Sequence, residues 1–372
     1  MTEDIIFDYW WACLRNSCFR PMTTLLENAG SSRRIFEMNK SDLIKFEGIN
    51  SKTADIIIKS RDGYKPEKEY EKFQKSGIRF IPHYSGDYPK RLKNIKGHPF
   101  ALFVKGKLPQ DSVPSAALIG ARNCSQYGRS VAADFGRDLA KAGVSVISGM
   151  AYGIDGISQM SCLDAKGKSY GVLGCGIDIC YPPGNRILYE RLEREGGLIS
   201  EYPPKTPPKS NLFPVRNRII SALSDIVVVI EARSKSGTGI TVDMALDQGK
   251  DIAIVPGRIT DPLSEGCINF WKQGAFPVAS ADDILDILIP DHIKTDDPLS
   301  PEKEKSPVSD RPDIGLSKTE AIIYSHIDLD PKNIEEICIE SSLEISELIE
   351  ALMGLLMKGL IKELGKDTYV KN

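Results

Sequence analysis

The residues of this chain best suited to chemistry are arginines, asparagines and glycines in short loops. Gly120, Ala121, Arg122 and Asn123 follow the apolar run 116–119, and Ser148, Gly149, Met150, Ala151, Tyr152, Gly153, Ile154 and Asp155 follow the run 144–147. Gly174, Cys175 and Gly176 lead to Tyr181, Pro182, Pro183, Gly184, Asn185 and Arg186, while the run 226–230 ends at Glu231 and precedes Ser236, Gly237, Thr238, Gly239 and Thr241. Glycine loops that open helices leave backbone N–H groups pointing outward, which favours anions. Between Lys205 and Arg218 the chain carries Lys205, Lys209, Arg216 and Arg218 with no acidic residue, and Phe213 and Pro214 are interleaved, followed by Asn217. Phosphates need cations at backbone spacing, and single-stranded bases need a π-face, worth about 1–3 kcal/mol per base stacked. The same window also reads as a proline-rich connection with solvated charges, its 216–221 stretch opening a helix.

These loops need a frame that gathers them. Strand-sized apolar runs at 116–119, 144–147, 170–173, 198–200, 226–230 and 252–255 alternate with amphipathic, helix-length stretches. That alternation is the signature of parallel strands with crossover helices, here a doubly wound, Rossmann-like α/β sheet. Ligands of such sheets sit beyond the carboxyl ends of the strands, so six polar loops on one sheet edge predict a broad groove. Before it, residues 1–65 predict a small helical domain. There Leu43, Ile44, Phe46, Gly48, Ile49, Asn50, Ala54, Ile56 and Ile57 read as two short helices around a turn, similar to a helix-hairpin-helix (SAM-like) unit, with Asn50 in place of its second glycine. Residues 66–110 predict a helix, an extended lead-in and an edge strand at 100–104, so that the Rossmann-like domain spans 66–290. A Pro-, Ser- and Asp-bearing linker is expected at 291–312. Helical periodicity and a terminal hairpin in 313–372 predict a winged helix.

Composition narrows the function classes. The 372 residues carry 48 Lys+Arg against 51 Asp+Glu, a net charge of −3, and 41% are hydrophobic. That is an ordinary globular balance, enough for two or three domains of roughly 100–200 residues. The charge is unevenly spread: +6 in 1–111, −1 in 112–290, −2 in 291–312 and −6 in 313–372. No apolar run approaches the roughly 18 residues of a membrane span. The amino terminus, with Glu3, Asp4 and Asp8, lacks the basic and apolar regions of a secretory signal, so a cytoplasmic protein is expected. Eight cysteines without a Cys-x-x-Cys pair, and four scattered histidines, predict reduced thiols and no metal site. No Gly-x-Gly-x-x-Gly run follows the first strand, so no dinucleotide cofactor is expected.

The motif series is more specific. Ile-Gly-Ala-Arg at 119–122, Gly-Ile-Asp at 153–155, Leu-Gly-Cys-Gly at 173–176, Tyr-Pro-Pro at 181–183 and Ser-Glu-Tyr at 200–202 continue in order. Phe-Pro-x-Arg-Asn-Arg-Ile-Ile at 213–220, Ser-Gly at 236–237, Val-Pro-Gly at 255–257 and Ser-Ala-Asp-Asp-Ile-Leu at 280–285 complete the series. Over about 85–285 the chain resembles the DNA-processing protein A (DprA, or Smf) family. The resemblance implies a recombination mediator that binds and protects incoming single-stranded DNA in natural transformation and loads RecA recombinase on it. It also implies a homodimer formed through the Rossmann domain, no catalytic residue and a carboxyl-terminal winged helix. Carried over by position, DNA contacts fall on Gly120, Arg122, Asn185, Arg186, Phe213, Arg216, Asn217 and Arg218, and the loop and basic-window residues Asn123, Gly149, Tyr152, Gly174, Tyr181, Lys205, Lys209, Ser236, Gly237 and Thr238 complete the expected contacts. Ala121 stands for the family's usual serine, Tyr152 for its usual Arg or Lys, and Thr238 and Gly239 also depart. Tyr152 removes one cation but offers a ring for stacking.

Two other classes compete. Nucleotide-cleaving phosphoribohydrolases share such a frame but need a Pro-Gly-Gly-x-Gly-Thr loop and a following glutamate, where this chain has Pro256, Gly257, Arg258 and Ile259. Asp155 and Glu231 are the groove carboxylates to test, and each also reads as a helix-capping or loop-fixing acid. A nucleotide-sensing adaptor would bind a mononucleotide in the groove and signal through the acidic tail. That tail, at −6, opposes duplex binding and favours a protein-contact or regulatory role. Exposed apolar residues around 240–246 and 270–271 are candidates for the dimer face, although core packing also explains them.

Overall fold

The computed structural model describes residues 4–14, 19–289, 316–328, 331–341, 343–365 and 367–371. The chain divides into two compact units, Met1–His292 and Ile293–Asn372. The expected linker, 291–312, lies outside the described residues. No described helix is long and apolar enough to cross a membrane.

Among the described residues the first unit opens with six helices: α1 (Asp4–Leu14), α2 (Phe19–Ala29), α3 (Ser32–Glu37), α4 (Lys40–Leu43), α5 (Ser51–Lys59) and α6 (Pro66–Gln74). Gly48 takes φ 78° in the turn between α4 and α5. Asn50 then caps α5, its side chain accepting from the Thr53 N–H at 2.9 Å, a sound reason for asparagine at that place. Trp10, Trp11, Leu25, Ile35 and Ile57 of these helices share one core with Phe80, Phe103 and Leu198 of the sheet. The amino-terminal helices therefore pack as part of the first unit. Each fully buried large side chain contributes roughly 1.5–3 kcal/mol.

The sheet and its helices follow: β1 (Arg79–Pro82), α7 (Lys90–Lys93), β2 (Ala101–Gly106), β3 (Ser115–Ile119), α8 (Gln126–Lys141), β4 (Ser145–Ser148), α9 (Ile154–Asp164), β5 (Ser169–Val172), α10 (Arg186–Glu195) and β6 (Gly197–Ser200). Then come α11 (Leu212–Leu223), β7 (Ile226–Val229), α12 (Gly237–Asp247), β8 (Asp251–Ile254), α13 (Glu265–Lys272), β9 (Phe276–Pro277) and α14 (Ala281–Leu288). The strand order is β1-β2-β6-β5-β4-β3-β7-β8-β9. From β6 to β9 every pairing is parallel, and β3 to β7 are buried along their whole length, as a sheet covered on both faces requires. The six runs singled out in the sequence are β3 to β8.

One expectation is corrected. The run 100–104 was expected as an edge strand, but β2 pairs antiparallel with β1 on one side and β6 on the other, and β1 holds the edge. The first four residues of β2 are all buried, which an interior position explains.

The second unit contains α15 (Lys318–His326), β10 (Lys332–Asn333), α16 (Ile334–Ser341), α17 (Ile345–Met357), β11 (Ile361–Gly365) and β12 (Thr368–Lys371), with sheet order β10-β12-β11. Ser317 and Glu320 form a capping box at the start of α15. Ile323, Ile337, Leu348, Leu352 and Leu355 make a small core.

Candidate nucleic-acid interface

Strand order reverses at β3: β4, β5 and β6 run out on one side, β7, β8 and β9 on the other. A crevice forms beyond the strand ends at such a switch point, and there the structure has a cleft of about 700 Å3. It gathers ten of the expected residues: Gly120, Arg122, Asn123, Tyr181, Phe213, Arg216, Asn217, Ser236, Gly237 and Thr238.

The floor is built around Arg216. Helix α11 carries it on the same face as Ile219, Ile220 and Leu223, and all four are buried. Its guanidinium donates to the carbonyl oxygens of Gly149, at 2.8 Å, and of Val172, and to Asn217 Oδ1 at 3.1 Å. Gly149 makes room, since a Cβ there would lie 2.5 Å from the Arg216 Nη2. Asp155 supplies the countercharge and accepts from the Gly149 N–H at 3.0 Å. Burial pushes the Asp155 carboxyl up from its ordinary range, outweighing Arg216 and the backbone donors that pull it down. Burial likewise draws Arg216 down to about 10 against the pull of Asp155. Arg216, expected among the DNA contacts, thus ties the ends of β4 and β5 to α11 beneath the cleft. Asn217 also donates to Thr241 Oγ1 at 2.8 Å, which joins α11 to α12.

The walls hold the available charge. Arg122 and Arg233 are exposed, line the cleft and have no hydrogen-bond or ion-pair partner among the described residues. The same cleft is lined by the N-terminus of α12, where no side chain caps the helix and Ser236 Oγ is buried without a partner among the described residues. The unsatisfied N–H groups and positive dipole end of an eleven-residue helix suit an anion. Gly120 is needed for the close passage of β3 past β7, since a Cβ would lie 2.8 Å from the Glu231 carbonyl oxygen. Tyr181, 40% exposed, and Phe213 lie in tilted contact, with ring centroids 5.3 Å apart and planes 33° off parallel. The cleft thus pairs cations and an anion-binding helix end with an aromatic shelf.

The remaining expected residues lie around the cleft rather than in it. Gly174 backs the shelf, where a Cβ would stand 2.6 Å from Phe213 Cδ1. Asn185 donates to the Met150 and Ala151 carbonyls, both at 3.0 Å, and so braces the loop after β4, in which buried Met150 adopts φ 55°. Tyr152 is half exposed, its hydroxyl accepting from the Gly184 N–H at 3.3 Å. Arg186 is exposed and pairs with Glu190 at 2.6 Å. Lys205 and Lys209 are exposed beside a separate depression near Cys13 and Pro203.

Arg218, also expected among the DNA contacts, is tied to a carboxylate. It is held by Glu201 through two bonds of 2.9 and 2.7 Å, the side chains being 11% and 5% exposed. Burial pulls its guanidinium down, but Glu201 outweighs it and leaves the group above its ordinary value. An arginine forked onto a buried carboxylate fastens α11 to the end of β6 and has little charge left to offer phosphate.

Both candidate acids fix loops. Glu231, 2% exposed, accepts from the Ser125 N–H at 2.9 Å and from its hydroxyl. Ser125 in turn caps α8 through the Gly128 N–H. The residue that sequence reasoning missed is Arg233, which lies between Glu231 and Ser236 and carried a signal in its place just past a strand end.

A doubly wound sheet with a cationic cleft at its switch point defines an α/β protein whose cleft suits an anion. The chain belongs to the DNA recombination-mediator protein A family, whose sequence profile matches residues 79–289. It is 30% identical over 365 residues to protein Smf of Synechocystis, covering 91% of this chain and 90% of that one. Among solved structures it is similar to DNA processing protein A of Streptococcus pneumoniae, with TM-score 0.66, 30% identity, and 77% and 98% of the two chains covered. It is also similar to DNA processing protein A of Helicobacter pylori, a structure described for its single-stranded DNA binding mode. There the TM-score is 0.53 with 27% identity, and 57% and 96% of the chains are covered.

Proposed function

We propose that this protein is a single-stranded DNA-binding recombination mediator that protects incoming strands in the cytoplasm and loads RecA recombinase onto them during natural transformation. The observation that carries the reading is the conjunction, in one cleft, of Arg122 and Arg233 with the uncapped start of α12 and the Tyr181–Phe213 shelf. Cations hold the backbone and rings take unstacked bases, a combination that single strands satisfy and duplexes do not. Nucleotide cleavage is the weaker reading, because Asp155 and Glu231 are spent on the Gly149 backbone and on Ser125 and the cleft offers no uncommitted carboxylate among the described residues. On this reading the α4–α5 turn is a helix-hairpin-helix unit and the second unit a winged helix. A homodimer would use exposed apolar residues of α12 and α13, among them Ile240, Leu246 and Trp271, which are 40%, 54% and 52% exposed.

Strand selectivity tests the proposal. Labelled oligonucleotides followed by fluorescence anisotropy should bind as single strands in preference to duplex. Phe213→Ala should weaken single-strand binding about tenfold, the scale of one stacked base, while leaving residual duplex binding unchanged. Equal binding of both forms, or an equal loss for both, would contradict the stacking role. Saturation by a mononucleotide with no dependence on oligonucleotide length would favour the sensing adaptor instead.

A further inference from the structure

The second unit turns an apolar stripe outward. On α17, Ile345, Ile349, Met353 and Met357 recur at four-residue spacing and are 63%, 44%, 63% and 91% exposed, whereas Leu348, Ala351, Leu352 and Leu355 of the same helix are buried. Residues four apart lie one above the other on a helix, so these four side chains form one continuous band while the opposite face fills the core. Single exposed apolar residues are ordinary, but a contiguous band marks an interaction surface.

Charge decides what covers it. Residues 313–372 carry a net −6, and α17 itself brings Glu347 and Glu350, both exposed and neither in an ion pair among the described residues. A phosphate backbone is repelled by such a face. A second copy would set the same acids against each other. We propose that this face docks a basic amphipathic helix of another protein, its apolar side on the stripe and its Lys or Arg residues toward Glu347 and Glu350. Two amphipathic helices pack by apposing apolar rows at three- and four-residue spacing, and the stripe supplies one such row. The inference is independent of the cleft and survives if DNA binding there fails.

The test uses the full chain and three short labelled peptides: a Leu/Lys peptide patterned as an amphipathic helix, a scramble of the same composition, and the same pattern with Glu for Lys. By anisotropy the patterned Lys peptide should bind at least about tenfold tighter than either control. Ile349→Ser with Met353→Ser, both at exposed positions, should lower that affinity at least about tenfold, as loss of two apolar anchors implies. Glu347→Gln with Glu350→Gln should lower it severalfold and flatten its salt dependence. Equal binding of the scramble or of the Glu peptide, or indifference to either pair of substitutions, would overturn the proposal. So would a dimer that dissociates with the Ile349 and Met353 substitutions, which makes a second copy the occupant. A severalfold rise in single-strand affinity with those substitutions would make the chain's own first unit the occupant, and would overturn it too.

Discussion

Arg216→Ala is expected to lower the stability of the first unit by about 3–5 kcal/mol, the scale on which removing one buried charge leaves a nearby opposite charge uncompensated. The stranded partner is Asp155, and the carbonyls of Gly149 and Val172 lose their donor as well. The loss should depend on pH in a defined direction. Burial already holds the Asp155 carboxyl above its ordinary 3.8 while Arg216 pulls it down, so removing Arg216 raises it further. A carboxyl whose folded value exceeds its unfolded one binds its proton more tightly in the folded state. Its contribution is then fully present below the unfolded value and lost as pH rises through the folded value. The variant should therefore lie closest to wild type in acid and fall away toward neutral pH. Urea unfolding at several pH values reads this directly, and a loss under about 1 kcal/mol with no pH trend would show that Arg216 does not anchor the floor.

Arg218→Ala is the second large effect, and its sign separates two roles for this residue. A phosphate contact would cost affinity and leave the fold intact. The fork onto Glu201 predicts the reverse: stability falls by about 3–5 kcal/mol, because a carboxylate 5% exposed is left unpaired, while DNA affinity measured below the unfolding transition stays within about twofold. Adding Glu201→Gln removes the stranded charge, so the double variant should regain part of the stability, a non-additivity expected of residues in contact. A fully stable Arg218→Ala protein with strongly impaired DNA binding would reverse the assignment.

The sequence was most informative where burial is two-sided. The β3 to β8 runs stand out because interior parallel strands are apolar on both faces. The place of β2 was not legible, because its partners β1 and β6 are set by non-local pairing. Within the site, charge alone could not tell an exposed arginine from a structural one. The helical period did hold part of the answer: Arg216, Ile219, Ile220 and Leu223 fall at the i, i+3, i+4, i+7 positions of one face, which marks Arg216 as buried. Nothing local marks Arg218, whose partner is seventeen residues away across a strand end. In α17 the apolar residues exceed what one face can hold, so periodicity does not divide Ile345 and Ile349 from Leu348 and Leu352, and only packing separates the buried side from the exposed stripe.

The central claim is that Arg122 and Arg233 are the cleft's phosphate-binding cations. It is tested most directly by the salt dependence of single-strand affinity for the wild type and for the Arg122→Ala, Arg233→Ala double variant. Each lost phosphate contact lowers the slope of log affinity against log salt by about 0.7 for single strands. The double variant should therefore be weaker at low salt and shallower by about 1.4, converging on the wild type as salt rises. Parallel lines, or equal affinities at low salt, would show that the backbone is held elsewhere and would contradict the account.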